Sequence, residues 1–229
     1  MSRAAFEAFE DRDALADAAC RLIARALSVP EASSLVVTGG SSPGPVYDRL
    51  SRLELRWARI IVTLSDDRWL DAASPLSNAR LVRERLLIGP AAKAAFLPLK
   101  CDAATPDEDA DAAEATIATL LPFAAVLLGM GEDGHIASLF PGAPGSAEAL
   151  DPDGPRLCVG VAMSGLEPYV PRISLTVRAL TTAAQVIILI TGEAKRAIVE
   201  RALAEAAYDP PVAAILRQDR APVAILWAP

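Results

Sequence analysis

Short apolar runs alternate with segments of helical periodicity along most of this chain. Apolar side chains recur at helical spacing from Asp11 to Ser28, and Pro30 ends that pattern. Further helices are predicted at Pro43–Leu50, Asn78–Leu87, Asp107–Leu120 and Glu193–Ala207. Strands are predicted at Leu35–Val37, Arg59–Leu64, Phe123–Leu128, Leu157–Val161, Arg172–Val177, Gln185–Ile190 and Pro222–Trp227.

This alternation of strands and helices predicts an α/β fold, in which a mainly parallel, Rossmann-like sheet carries helices on both faces. The chain has 229 residues, contains no repeat or low-complexity linker, and is therefore expected to form a single domain over residues 1–229.

The charge balance excludes some classes of partner. A formal net charge of −7 argues against nucleic acid, which selects basic surfaces. It leaves an anionic small substrate open, because a local cluster of arginines sets the field in a pocket. The apolar runs are too short to span a bilayer, and the first residues are too charged for a secretory signal, so no membrane partner and a cytoplasmic location are expected.

Cysteine usage gives no sign of a metal site. Cys20, Cys101 and Cys158 lie far apart, and none belongs to a C-x-x-C pair, so neither a zinc site nor a disulfide framework is indicated. All three are expected to be packing residues, and no metal or cofactor is predicted.

The only histidine, His135, lies in the segment with the clearest chemical pattern. The buried strand Phe123–Leu128 is followed by a glycine-rich turn, and open α/β sheets bind their ligands at the carboxyl ends of strands. Histidine gains and loses a proton near neutral pH, so His135 is the candidate general base. Asp133, two residues earlier, either orients the imidazole or caps the following turn.

Three other segments carry candidate binding residues. The loop Thr38–Gly44 follows a strand, and its backbone N–H groups, with the Ser41 and Ser42 hydroxyls, suit an anion. In Ser65–Trp69, Arg68 can hold a phosphate through two hydrogen bonds. Lys195 lies in a first helical turn, against the preference of the helix dipole, and such a local conflict is typical of functional sites.

These segments resemble one family in the same order along the chain. The stretch from Gly129 to Gly142 (GMGEDGHIASLFPG) is similar to the signature of the 6-phosphogluconolactonases. The other agreeing segments are TGGSSP from Thr38, SDDRW from Ser65 with SNAR from Ser77, and VPRISLT from Val170 with TGEAK from Thr191. The resemblance covers most of the chain; Asp67 departs from it, because the family has a glutamate there.

The resemblance implies metal-free hydrolysis of 6-phospho-D-glucono-1,5-lactone in the oxidative pentose phosphate pathway. The catalytic residues it implies are His135, as general acid and base, and Asp133. The substrate- and phosphate-binding residues it implies are Gly39, Gly40, Ser41, Ser42, Asp66, Arg68, Arg80, Gly131, Gly134, Arg172 and Lys195. Backbone N–H groups of either Gly129–Gly134 or Gly39–Gly40 would stabilise the oxyanion. The partner is then a phosphorylated sugar lactone, and the protein is expected to be a monomer or homodimer.

Two alternatives remain at this point. A glucosamine-6-phosphate deaminase-like enzyme would share the sheet and a similar histidine motif. That family continues the motif with Ala-Phe-Asn-Glu-Pro and has Asp-Glu-Tyr where this chain has Asp66-Asp-Arg-Trp69. A non-catalytic sugar-phosphate sensor would share the fold, but such a sensor has no need of a histidine at the end of a strand.

Overall fold

The computed structural model describes residues 4–28, 33–162 and 170–229. Its strands are β1 (Ala4–Ala8), β2 (Ser33–Val37), β3 (Ile60–Leu64), β4 (Asp66–Arg68), β5 (Ala95–Leu97), β6 (Ala125–Leu128), β7 (Cys158–Val161), β8 (Arg172–Leu175), β9 (Val186–Thr191) and β10 (Val223–Ala228). Its α-helices are α1 (Arg12–Leu27), α2 (Gly44–Leu50), α3 (Asn78–Arg85), α4 (Pro106–Thr119), α5 (Ser146–Leu150), α6 (Val177–Thr181), α7 (Glu193–Ala204) and α8 (Pro211–Arg217).

A seven-stranded sheet with the order β1-β10-β9-β6-β2-β3-β5 forms the centre of the structure, and all its neighbouring strands are parallel. Every residue of β6 and of β10 is buried, and helix α1 packs against β2, β6, β9 and β10. The predicted α/β fold with a mainly parallel sheet is confirmed. From β2 the chain moves to β3 and β5 on one side, whereas β6 lies on the other side, so the order of strands reverses between β2 and β6.

A second sheet is small and antiparallel, with the order β4-β8-β7. The predicted strands Leu157–Val161 and Arg172–Val177 belong to this sheet and not to the parallel one. The second of them ends at Leu175, since Thr176 caps helix α6 by accepting a hydrogen bond from the Ala179 N–H. In the β4–β8 pair Arg68 lies directly opposite Arg172, and this register brings two cations to one place.

Several elements differ from the sequence-based prediction. The strands β1, β4 and β5 and the helices α5, α6 and α8 were not predicted, because they are short or lack apolar periodicity. The helix predicted to reach Ala207 ends at Ala204. The first helix ends at Leu27, and Pro30 lies outside the described residues.

The core lies between the parallel sheet and its helices, with Trp57, Tyr47 and Phe123 among its largest fully buried side chains. Cys20 and Cys158 are buried as expected, whereas Cys101 is exposed and is not a packing residue. In the described part of the chain, no helix has the length and apolar character needed to cross a membrane.

Candidate active site

A cleft of about 160 Å³ opens where the order of strands reverses, at the carboxyl ends of β2 and β6. This is the place at which open α/β sheets bind ligands. The loop that follows each of these two strands contributes to the wall, and residues of β4 and β8 complete it. The lining residues are Thr38, Gly39, Gly40, Ser41, Ser42, Pro43, Asp66, Arg68, Asn78, Gly129, Met130, Gly131, His135, Ala137, Arg172 and Leu189.

Tyr47 fixes the start of the loop after β2 through hydrogen bonds to the Thr38 backbone. The buried phenol accepts a hydrogen bond from the Thr38 N–H at 3.0 Å and donates one to the Thr38 carbonyl at 2.5 Å. The N–H groups of the next four residues, 39–42, donate to no other described residue. The loop therefore presents backbone donors to the cleft.

The imidazole of His135 is fixed on two sides. Its Nδ1 lies 2.6 Å from Asp133 Oδ1, and the same oxygen accepts the His135 backbone N–H at 3.1 Å. A Cβ at Gly131 would lie 2.2 Å from the imidazole, so only glycine lets the ring approach this closely.

Asp133 is held in its charged form. Partial burial raises the pKa of Asp133, but the His135 N–H, the imidazolium charge and the ring hydrogen bond together leave that pKa below its usual value. A carboxylate only accepts hydrogen bonds, so the tautomer of a neutral imidazole that fits this contact carries its proton on Nδ1 and presents the Nε2 lone pair. No described residue donates to or accepts from Nε2.

Two arginines line the other side of the cleft. Arg68 Nη1 donates to Asn78 Oδ1 at 2.8 Å and to the Leu76 carbonyl at 3.0 Å. Arg172 Nε is buried and has no hydrogen-bond partner among the described residues. Burial and the positive charge of Arg68 lower the pKa of Arg172, because both disfavour the charged guanidinium.

The adjacent carboxylates Asp66 and Asp67 are both buried and have different roles. Asp66 lines the cleft and accepts hydrogen bonds from the hydroxyls of Ser65 at 2.8 Å and Ser138 at 2.6 Å. Asp67 instead accepts the backbone N–H groups of Asn78 at 2.6 Å and Ala79 at 3.1 Å, at the start of α3. Both carboxylates are therefore buried and hydrogen-bonded to neighbouring residues.

Of the predicted binding residues, Arg80, Gly134 and Lys195 do not line the cleft. Arg80 Nε donates to Glu84 at 2.7 Å and its Nη1 to the Ala73 carbonyl. Gly134 has a φ of +81°, and a Cβ there would lie 2.6 Å from Pro210. Lys195 lies in the first turn of α7, three residues before Ile198, whose side chain would lie 3.4 Å from a Cβ at Gly134.

Asn78 and Phe140 are functional candidates that the sequence prediction did not include. Asn78 Nδ2 donates to the Asp66 carbonyl while its Oδ1 accepts from Arg68, and its side chain occupies the space where a Cβ of Gly39 would lie. Phe140 lies against the His135 ring. Asn78 lies in the SNAR segment and Phe140 in the Gly129–Gly142 segment, so both could have been singled out from the sequence. Their partners, however, follow only from the structure.

The site combines an imidazole paired with a carboxylate, free backbone donors and two facing arginines, an arrangement suited to an enzyme that acts on a small anionic ligand. The family model for glucosamine-6-phosphate isomerases/6-phosphogluconolactonase matches residues 10–227. This chain belongs to that family.

Relatives and solved structures agree with the family. The 6-phosphogluconolactonase of Caulobacter vibrioides is 45% identical over 226 residues, covering 97% of this chain and 96% of that protein. The Pseudomonas aeruginosa 6-phosphogluconolactonase is 45% identical over 199 residues, covering 85% and 81%. The crystal structure of a 6-phosphogluconolactonase from Shewanella baltica superposes with a TM-score of 0.91 at 33% identity and covers 99% of this chain and 98% of that one.

Proposed function

We propose that this chain hydrolyses 6-phospho-D-glucono-1,5-lactone to 6-phosphogluconate, a step of the oxidative pentose phosphate pathway. The observation that carries the proposal is the presence of the facing Arg68 and Arg172 in one cleft with the His135–Asp133 pair. The names of the relatives, at up to 45% identity over most of the chain, confirm the predicted enzyme class.

In this proposal His135 moves the protons of the reaction. Nε2 takes a proton from water, and the water oxygen bonds to the lactone carbonyl carbon. When the tetrahedral intermediate collapses, the bond from that carbon to the ring oxygen breaks, and the imidazolium returns its proton to the departing oxygen. Such acid–base help accelerates a reaction by about 10²–10⁴-fold. Asp133 keeps the proton on Nδ1 and stabilises the imidazolium.

The oxyanion is assigned to the N–H groups of Gly39 and Gly40. Of the two glycine segments considered from the sequence, the one around His135 has two of its glycine N–H groups engaged, since Gly131 N donates to the His135 carbonyl and Gly134 N to the Gly131 carbonyl. The N–H groups after β2 are free to meet a developing negative charge.

The phosphate is assigned to Arg68 and Arg172, with the Ser41 and Ser42 hydroxyls beside them. Like charges directly opposite each other in an antiparallel pair repel, and a dianion between them converts this repulsion into attraction. Asp66 has unused acceptor capacity for a sugar hydroxyl. Lys195, at the start of α7, is proposed to reach the phosphate. Arg80 and Gly134 are proposed to stabilise the segments around the site, Arg80 through its hydrogen bond to Glu84 and Gly134 through its close approach to Pro210.

The proposal extends to the whole chain as one domain over residues 1–229, acting without metal or cofactor as a cytoplasmic monomer or homodimer. No specific observation favours the two alternatives. A monomeric glucosamine-6-phosphate deaminase shares the fold, with a TM-score of 0.79, at only 18% identity.

The proposal is tested with the purified protein and freshly generated 6-phosphogluconolactone, after subtraction of spontaneous opening. Unphosphorylated glucono-1,5-lactone and glucosamine 6-phosphate are assayed in parallel. We expect rapid opening of the phosphorylated lactone, much weaker opening of the unphosphorylated one, and no release of ammonia. Ammonia release, or equal rates with both lactones, would contradict the proposal.

A further inference from the structure

Phe140 lies between the proposed base and one of the proposed phosphate ligands. Its ring centroid is 4.4 Å from that of His135, with the two planes inclined at 43°. The guanidinium carbon of Arg172 lies 5.3 Å from the same centroid. One aromatic side chain therefore contacts both halves of the site, and it is almost completely buried.

The ring is held by its own small group of apolar residues. Phe140, Ala143 and Val161 form a buried cluster separate from the main core, with Val159 packed against it. Phe140 also lines a second cavity of about 350 Å³, together with Ala143, Val159 and Val161. Phe140 therefore packs in a small apolar group apart from the main core.

The chemistry of an aromatic ring suits both contacts. The face of the ring carries partial negative charge and attracts a guanidinium within about 6 Å of its centroid. A tilted ring pair at about 4.5–7 Å is also favourable. Arg172 Nε has no hydrogen-bond partner among the described residues, so the ring is one of the few groups that orient this guanidinium.

We propose that Phe140 is a positioning residue that holds both the His135 imidazole and the Arg172 guanidinium, and so sets the distance between the base and the phosphate. The proposal rests on the function proposed above and goes further, because it links the chemical step and phosphate binding through one side chain outside the lining of the cleft.

The test begins with Phe140→Leu, which keeps an apolar side chain and removes the ring. We expect kcat to fall and KM for the phosphorylated lactone to rise, each by about two- to tenfold, the range that such ring contacts contribute. Phe140→Tyr retains the ring, so it should keep near wild-type values. Val161→Ala loosens the same cluster without removing the ring and should leave both constants unchanged.

Double variants separate positioning from general packing. If Phe140 acts through its two neighbours, Phe140→Leu should not lower kcat further in a His135→Ala background, nor raise KM further in an Arg172→Met background. The same fold-loss in every background, or an equal loss in Val161→Ala, would overturn the proposal. Circular dichroism of each variant establishes that it folds, and Phe140→Met, which also removes the ring, replaces the leucine variant if that one does not fold.

A binding measurement distinguishes failure of this inference from failure of the proposed function. Inorganic phosphate, titrated against the protein by calorimetry, needs no turnover. Phe140→Leu should weaken phosphate binding about two- to fivefold, and Phe140→Tyr should not. A wild-type protein that binds phosphate but opens no lactone would contradict the function alone. Unchanged phosphate affinity in Phe140→Leu would overturn the link to Arg172 whatever the turnover.

Discussion

Replacing Arg172 by methionine tests whether the cleft is built to receive an anion. In the protein without ligand, Arg172 lies directly opposite Arg68, and its buried Nε lacks a hydrogen-bond partner among the described residues. Methionine is also long and flexible but carries no charge, so the substitution removes both unfavourable features while keeping an apolar contact with Phe140.

The expected change in stability follows from three contributions. Relieving the opposed charges gains roughly 0.2–1 kcal/mol. Removing a buried donor without a partner gains about 1–3 kcal/mol, and losing the contact between the guanidinium and Phe140 costs about 0.5–1 kcal/mol. A net gain of about 1 kcal/mol raises the melting temperature of a chain of this size by about 2–4 °C.

The assay is thermal melting in phosphate-free buffer and at rising phosphate concentration. Phosphate at ten times its Kd stabilises the wild type by about 1.4 kcal/mol, and Arg172→Met should lose most of this gain. Arg201→Met is the matched control, since Arg201 is exposed and pairs with Glu205 away from the cleft. A lower melting temperature for Arg172→Met without phosphate, or an undiminished response to phosphate, would refute the reasoning.

Two further substitutions test the surroundings of the proposed base, and a third tests the buried carboxylate of Asp67. Gly131→Ala places a methyl group 2.2 Å from the His135 ring and should lower kcat by up to about 10²-fold. Gly129→Ala is the control: the nearest atom to its methyl group is 4.0 Å away, so kcat should stay within about twofold of the wild type. Equal losses of kcat in the two variants would contradict this expectation. Asp133→Asn removes the carboxylate that fixes the proton on Nδ1, so steady-state kinetics should show kcat about 10- to 100-fold lower with little change in KM. Burial raises the pKa of Asp67, so the native state binds the Asp67 proton more tightly than the unfolded chain does, and the stability gained from this proton is lost as pH rises. Asp67→Asn should therefore shrink the difference in melting temperature between about pH 4 and about pH 7. An unchanged difference would contradict this expectation.

The central sheet was predictable because its strands are buried on both faces and read as continuous apolar runs, as in β6 and β9. β1 was not predictable, since its sequence AAFEA has mostly exposed positions and becomes a strand only by pairing with β10 at the other end of the chain. The helix α8 likewise depends on tertiary contacts: Val212 N donates to the Gly134 carbonyl, so this segment supports the His135 loop.

The site was predictable where loops follow buried strands. Gly39, Arg68 and His135 were predicted as neighbours from the resemblance, and the structure brings them to one cleft. The opposition of Arg68 and Arg172 was not predictable from either segment, because it depends on the register of β4 against β8. The capping role of Asp67 is also a tertiary feature, since its partners begin a helix ten residues further along.

The central claim is that His135 is the proton-transferring group of a lactonase, and the turnover of His135→Ala beside the wild type tests it most directly. Both are assayed with fresh 6-phosphogluconolactone, with and without EDTA, after subtraction of spontaneous hydrolysis. We expect wild-type turnover that EDTA does not change, and a variant whose kcat falls by about 10²–10⁴-fold while its affinity for phosphate stays within about twofold. Turnover that survives in His135→Ala would contradict the claim.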